Sequence, residues 1–217
     1  KEIENLVYKS ERYLSFIFIP VILICIFFSE LIIKYTIGNE FKSSHEIIIY
    51  LSLMLYFLSI TRPYLSYLMG INKPNLVAFS GISVSILNIF LNIIFIPEEF
   101  YGYRTLGLGA KGAAIATFIA MLASFFIARF FSYKNGKIVN YKISFHILVI
   151  LFAYYSFYTL DLNLFYNILI SFTFIVGAYL FFYIINEIGK EDILTLKRFF
   201  SISNYYNYIR DELKHKD

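Results

Sequence analysis

Residues 13–34 read YLSFIFIPVILICIFFSELIIK, with no charge before Glu30. As a helix this run would extend about 33 Å at 1.5 Å per residue, enough to cross the roughly 30 Å hydrocarbon core of a bilayer. Five more apolar runs follow, at 46–69, 75–97, 109–128, 143–160 and 164–186. The chain is 59% hydrophobic and 16% charged, with a mean hydropathy of +0.67. Soluble domains average about 45–50% and about 25% for the same classes, so one small aqueous core cannot absorb six such runs. The expected fold is therefore all-α: a polytopic transmembrane helical bundle of about six spans. The fifth run, at 18 residues, is the shortest.

Turn chemistry separates the runs, as in Gly38-Asn39, Asn72-Lys73-Pro74-Asn75, Asn135-Gly136 and Asp161-Leu162-Asn163. Lysine and arginine then orient them. With six spans, the N-terminus, the second and fourth connections and the C-terminus share one side and carry fourteen basic residues. The other side carries four: Lys34, Lys42, Arg104 and Lys111. The positive-inside rule places both termini in the cytoplasm, with the chain as a multi-pass protein of the cytoplasmic membrane. The expected organisation is a cytoplasmic lead-in at 1–12, a four-helix core at 13–132, two peripheral spans at 143–186 and a cytoplasmic tail at 187–217. In the tail, Ile193, Leu196, Phe199 and Phe200 recur at spacings of three and four that suit an interfacial helix. A solvated tail is the alternative.

The segment GLGAKG, Gly107–Gly112, matches the G-x-G-x-x-G spelling of dinucleotide-binding loops. That loop needs a preceding strand and an acidic residue about 20 positions on to hold the ribose. Here an apolar helical run precedes it, and the region near 132 reads FFSYKNG. Gly109, Gly112, Ala113, Ala116 and Ala120 instead form a stripe at helical spacing, which lets a neighbouring helix approach closely. The glycines are expected to serve packing and a turn. No cofactor is implied, no Cys/His spacing suggests a metal, and no nucleophile–base pair is legible, so the chain does not read as an enzyme. Nothing indicates nucleic acid. The single cysteine, Cys25, lies inside the first apolar run.

Two polar stripes stand out. Ala78, Gly81, Ser85, Asn88 and Asn92 share one face of the third run. An unpaired amide in hydrocarbon costs several kcal/mol on the order of the lipid estimate, so these asparagines should face protein or a watery cavity. Interhelical hydrogen bonding alone is the simpler account. In the second run Ser52, Tyr56, Ser59, Arg62, Ser66 and Gly70 align. With these span limits Arg62 is the only charge well inside any run. Pro63 follows it and leaves the Ser59 carbonyl without its helical donor. An intramembrane arginine is a functional candidate, and snorkelling to headgroups is its alternative.

These segments also carry a family resemblance. Pro20 in the first run, YLMGINKPN after the second, LNIIFIP ending the third, GAKGAAIAT opening the fourth and NEIGKEDILTLKRF after the last appear in that order. The succession resembles the C-terminal half of polysaccharide-biosynthesis membrane proteins, oligosaccharide-lipid flippases of the multidrug/oligosaccharidyl-lipid/polysaccharide exporter superfamily. The resemblance implies twelve to fourteen spans in two bundles facing a central cavity, of which these would be the last six. It implies alternating-access movement of a lipid-linked oligosaccharide, with membrane lipids and the missing N-terminal half as the other partners. Arg62, with Ser59, Ser66, Asn88 and Asn92, would be this half's contribution to substrate binding, since arginine pairs bidentately with phosphate. Alternatives are a cation-coupled drug antiporter of the same superfamily, which the lack of a mid-span acid disfavours, or a non-transporting scaffold paired with a polysaccharide-synthesis enzyme. The chain is read as a fragment of a longer protein.

The topology is open to direct test. With Cys25 replaced, single cysteines at Asn39 and Tyr101 should react with an impermeant thiol reagent added outside intact cells. Cysteines at Asn135 and Asn204 should react only after permeabilisation, and labelling of Asn135 from outside would reverse the assigned orientation.

Overall fold

The computed structural model describes residues 2–159, 164–185 and 187 of the chain. Six α-helices follow one another: α1 Glu2–Thr36, α2 His45–Gly70, α3 Pro74–Phe95, α4 Gly109–Gly136, α5 Ile143–Thr159 and α6 Leu164–Ile184. A 3-10 helix, Asn39–Ser44, leads into α2, and a two-strand hairpin, β1 Glu99–Phe100 and β2 Tyr103–Arg104, links α3 to α4. Five helices are long and apolar enough to cross a membrane: α1, α2 with its 3-10 lead-in, α3, α4 and α6 from Phe165. α5, at 17 residues, stands at the short limit of about 17–25 for a spanning helix. The architecture is all-α apart from the short hairpin, with helices of the length and apolarity that fit a multi-pass membrane protein. The chain divides into two units, Lys1–Phe174 and Ile175–Asp217. The second continues α6 to Ile184, and the interfacial tail expected beyond 187 lies outside the described residues.

Two boundaries differ from the sequence reading. α1 begins at Glu2, so residues assigned to a lead-in at 1–12 are its first turns. α4 runs to Gly136, eight residues past the expected end at 128. Apolar content marks where hydrocarbon begins, whereas a helix continues through polar residues until a breaker stops it. For α4 the stop comes at Lys137, whose left-handed φ of 56° returns its N–H to the Tyr133 carbonyl at 2.8 Å. α2 stops at Gly70-Ile71-Asn72. Asn72 takes a φ of 59°, a conformation that its short polar side chain tolerates. Pro74 then opens α3, where its missing N–H costs nothing.

The first unit packs chiefly through α2, which meets α1, α3 and, most extensively, α4. On α4 the buried residues Gly112, Ala116, Ala120, Ser124, Ala128 and Ser132 recur every four positions, all small. Of the expected packing stripe, Gly112, Ala116 and Ala120 are buried, while Gly109 and Ala113 are partly covered. Phe57 of α2 meets Phe118 and Phe125 of α4 with ring centroids 5.9 and 5.3 Å apart. α1 packs on α2 and buries Ile19, Ile22, Leu23 and Ile26, which recur at steps of three and four. Phe27 places an edge-to-face ring 6.1 Å from Phe157 of α5.

The GLGAKG segment acts as a clamp on the end of α3. The last carbonyls of a helix lack internal donors. Here Leu106, Gly107, Leu108 and Gly109 give their N–H groups to the carbonyls of Ile94, Pro97, Phe95 and Ile96, at 2.7–3.1 Å. Gly107 and Gly109 take φ values of 61° and 53°, which glycine adopts without steric cost. Gly112 allows the close approach itself, because a Cβ there would run into the Phe95 carbonyl. Gly81, on α3, has open space around it. Gly112→Ala should therefore lower the melting temperature in detergent, by a loss of about 1–3 kcal/mol typical of overpacking. Gly81→Ala should leave it unchanged or slightly raised; equal melting of the two variants would remove the close-approach account.

Candidate functional site

The expected substrate-binding residues are not gathered at one place. Arg62 and Ser66 lie on an exposed strip of α2 and line a groove of about 500 Å³ between α1 and α2. Leu6, Val7, Leu14 and Pro63 form its apolar wall, and Ser10 adds a hydroxyl. Arg62 makes no hydrogen bond or ion pair to the described residues. Ser59 is spent locally, donating to the Leu55 carbonyl at 2.8 Å. Pro63 itself is buried, so the helix distortion it favours is set against the packed side of α2.

Asn88 and Asn92 look elsewhere. Asn92 Nδ2 donates to Asn88 Oδ1 at 3.0 Å, and Asn88 Nδ2 to Thr117 Oγ1 of α4 at 3.3 Å. Thr117 in turn donates to the Ala113 carbonyl at 2.8 Å. This ladder joins α3 to α4, on the face that carries the small residues. The polar stripe of α3 is thus, at Asn88 and Asn92, an interhelical hydrogen-bond seam. Its neighbour on α2 splits: Ser52 and Tyr56 are buried, while Arg62, Ser66 and Gly70 are exposed.

The most polar buried locus was not anticipated. Glu11 of α1 is fully buried, and its Oε1 is ion-paired with Arg129 of α4, itself only 8% exposed. Glu11 Oε2 accepts from the Tyr64 hydroxyl of α2 at 2.9 Å. The Arg129 guanidinium lies over the rings of Tyr64 and Phe125, 4.6 and 4.2 Å from their centroids, and donates to the Asn140 carbonyl at 3.2 Å. Asn140 N–H donates to the Tyr64 hydroxyl at 3.2 Å, closing the network on the connection after α4. Three helices and one connection thus converge on a single carboxylate. One α1 turn further on, Ser15 Oγ sits 2.8 Å from the Tyr56 hydroxyl and 2.7 Å from His146 Nδ1 of α5. His146 stacks on Phe16 with centroids 5.2 Å apart.

Arg62 is therefore not the only charge inside the helical segments, and an acid does lie within them. Both residues were assigned to flanking segments because apolar run length, not helix length, set the span limits. A signal was present: Val7, Glu11, Ser15 and Ile19 step by four along the face that the core later buries, and Ala128 and Ser132 continue the α4 stripe around Arg129. Among the described residues no cluster of three His, Cys, Asp or Glu could hold a metal.

Removing one partner of a buried ion pair costs about 3–5 kcal/mol, because the other charge is left uncompensated. Arg129→Met should accordingly cause a large loss of thermal stability. Adding Glu11→Gln should recover part of it, since the stranded carboxylate is then neutral. Additive losses in the double variant, read from melting curves in detergent, would show that the two side chains are not energetically coupled.

No protein-family model, curated protein or solved structure matches this chain.

Proposed function

We propose that the chain forms the C-terminal portion of a membrane flippase that moves a lipid-linked oligosaccharide or polysaccharide precursor by alternating access. The observation that carries this reading is the setting of Arg62. It is a cation within an apolar helix, beside a proline, in a groove whose remaining wall is mostly hydrocarbon. The buried arginine of α4, Arg129, is by contrast engaged by Glu11, Tyr64 and Asn140. A cation left open in an apolar groove suits an amphiphile with an anionic head, and guanidinium binds phosphate in a bidentate, charge-assisted manner. The ordered resemblance of YLMGINKPN, LNIIFIP and GAKGAAIAT to such flippases points the same way. Ser66 would assist Arg62. Ser59, Asn88 and Asn92 are engaged within and between helices, so this reading gives them a supporting role.

The cation-coupled alternative gains a buried acid in Glu11, within helix α1, but both carboxylate oxygens are held by Arg129 and Tyr64. That arrangement ties helices together and leaves no oxygen open to a passing ion.

Transport in the complete flippase tests the proposal. Arg62→Ala should slow transbilayer movement of a lipid pyrophosphate–linked sugar about 10- to 100-fold at near-normal membrane abundance, the loss expected for one charged hydrogen-bonding contact. Arg62→Lys should restore only part, because lysine keeps the charge and loses the planar fork. Full transport by a well-expressed Arg62→Ala protein would end the proposal, as would complete rescue by lysine with a folding defect in the alanine variant, the pattern of a snorkelling arginine.

A further inference from the structure

The hairpin between α3 and α4 has two unlike faces. Its register pairs Glu99 with Arg104 and Phe100 with Tyr103. Directly opposed residues of an antiparallel pair point to the same side, and successive residues to opposite sides. Glu99 and Arg104 therefore make one charged face, and Phe100 and Tyr103 make one aromatic face. The turn, Tyr101-Gly102, has φ values of 50° and 83°. Such turns favour Asn, Asp or Gly, and a bulky side chain at positive φ is strained by about 1–3 kcal/mol. The strained residue here is a tyrosine, 89% exposed, with its ring edge-on to Phe100 at 4.7 Å. Tyr103 is 78% exposed. The clamp on α3 and the bond from Thr105 N–H to the Glu98 carbonyl hold the base of the hairpin.

The surroundings say what covers those rings. At the same end of the first unit, exposed Tyr35 in the last turn of α1 and exposed Ile37 and Phe41 in the connection that follows it add further apolar and aromatic side chains. The exposed ion pair of Glu30 with Lys42 at 2.8 Å and the partly covered pair of Lys111 with Glu46 put charge at this end, as suits the level where the hydrocarbon stops. Aromatic side chains from two connections at that level have the placement of an interfacial belt, where an amphipathic ring suits the boundary between acyl chains and headgroups. The chain has no tryptophan, so tyrosine and phenylalanine must supply the belt.

We propose that the Glu99–Arg104 hairpin is an interfacial anchor. It lies along the membrane surface at the α3–α4 turn, with Phe100, Tyr101 and Tyr103 at the acyl boundary and Glu99 and Arg104 among the headgroups. Because its base is bonded to the end of α3, the anchor fixes the depth of α3 and α4 in the bilayer. The inference does not depend on what the protein transports.

The absence of tryptophan supplies the test. Tyr103→Trp and, separately, Tyr101→Trp each carry a single indole. The purified proteins are placed in phosphatidylcholine vesicles whose acyl chains are brominated near the headgroup, or in unbrominated vesicles with aqueous acrylamide. The anchor predicts strong quenching by the brominated lipid and weak quenching by acrylamide for both variants. Full acrylamide access without lipid quenching would place the hairpin in water and overturn the anchor. Protection from both quenchers would mean that protein covers the aromatic face and would overturn it equally.

Discussion

Hydrocarbon offers no hydrogen bonds, so a chain that crosses it must satisfy its own backbone groups wherever the helical ladder fails. The places where this protein breaks its helices show how that demand is met. At the end of α3, five consecutive N–H groups from Thr105 to Gly109 return to carbonyls between Ile94 and Glu98. At the end of α2, Lys73 N–H reaches back to the Leu68 carbonyl at 2.9 Å while Asn72 turns left-handed. At the end of α4, Lys137 and Ile138 do the same for Tyr133 and Ser132. Each clamp also fixes the direction in which the next helix leaves. The helix–helix arrangement therefore depends on these turns as well as on side-chain packing.

Packing then follows from side-chain size. In lipid there is little hydrophobic gain in bringing apolar helices together, so close contact and interhelical hydrogen bonds supply the attraction. α4 presents a residue no larger than serine at every fourth position from Gly112 to Ser132, and α2 and α3 settle against it. The Asn92–Asn88–Thr117 seam adds polar bonds to the α3 contact. On the other side, the Glu11–Arg129–Tyr64 network joins α1, α2 and α4 where aromatic faces shield the charges. Removing charges from water is expensive, and well-packed apolar groups can often replace a buried pair without loss. What the pair adds is register: one carboxylate can meet Arg129 and Tyr64 together only when α1 sits at one height against its neighbours.

That rigid association leaves a groove on one side of α1 and α2 in which Arg62 is the open cation. The contrast between the two arginines carries the functional reading. Arg129 is consumed by the fold, whereas Arg62 remains available to a ligand. The proposed flippase role needs such a contact on a rigid support, because alternating access moves bundles as bodies around a held substrate.

Much of the secondary structure could be read from the sequence alone, because the runs of Ile, Leu and Phe and their breaks at Gly38-Asn39, Asn72-Lys73-Pro74 and Asn135-Gly136 are local signals. The packing role of Gly112, Ala116 and Ala120 was legible too, since they recur every four positions along one run. Which asparagine meets which helix was not legible. Asn88 and Asn92 share a face with Ser85 by periodicity, but only packing shows that this face meets Thr117 of α4 rather than Arg62 of α2. Glu11 and Arg129 were hidden for a related reason: hydropathy marks where a segment becomes apolar, and both residues lie on helical turns beyond that mark. Residues 118 positions apart become a buried pair only when two helices are brought side by side. Local sequence determined where this chain is helical and where it turns; the tertiary structure alone decided that Glu11 and Arg129 are paired while Arg62 has no partner among the described residues, because pairing is a property of helix faces in contact.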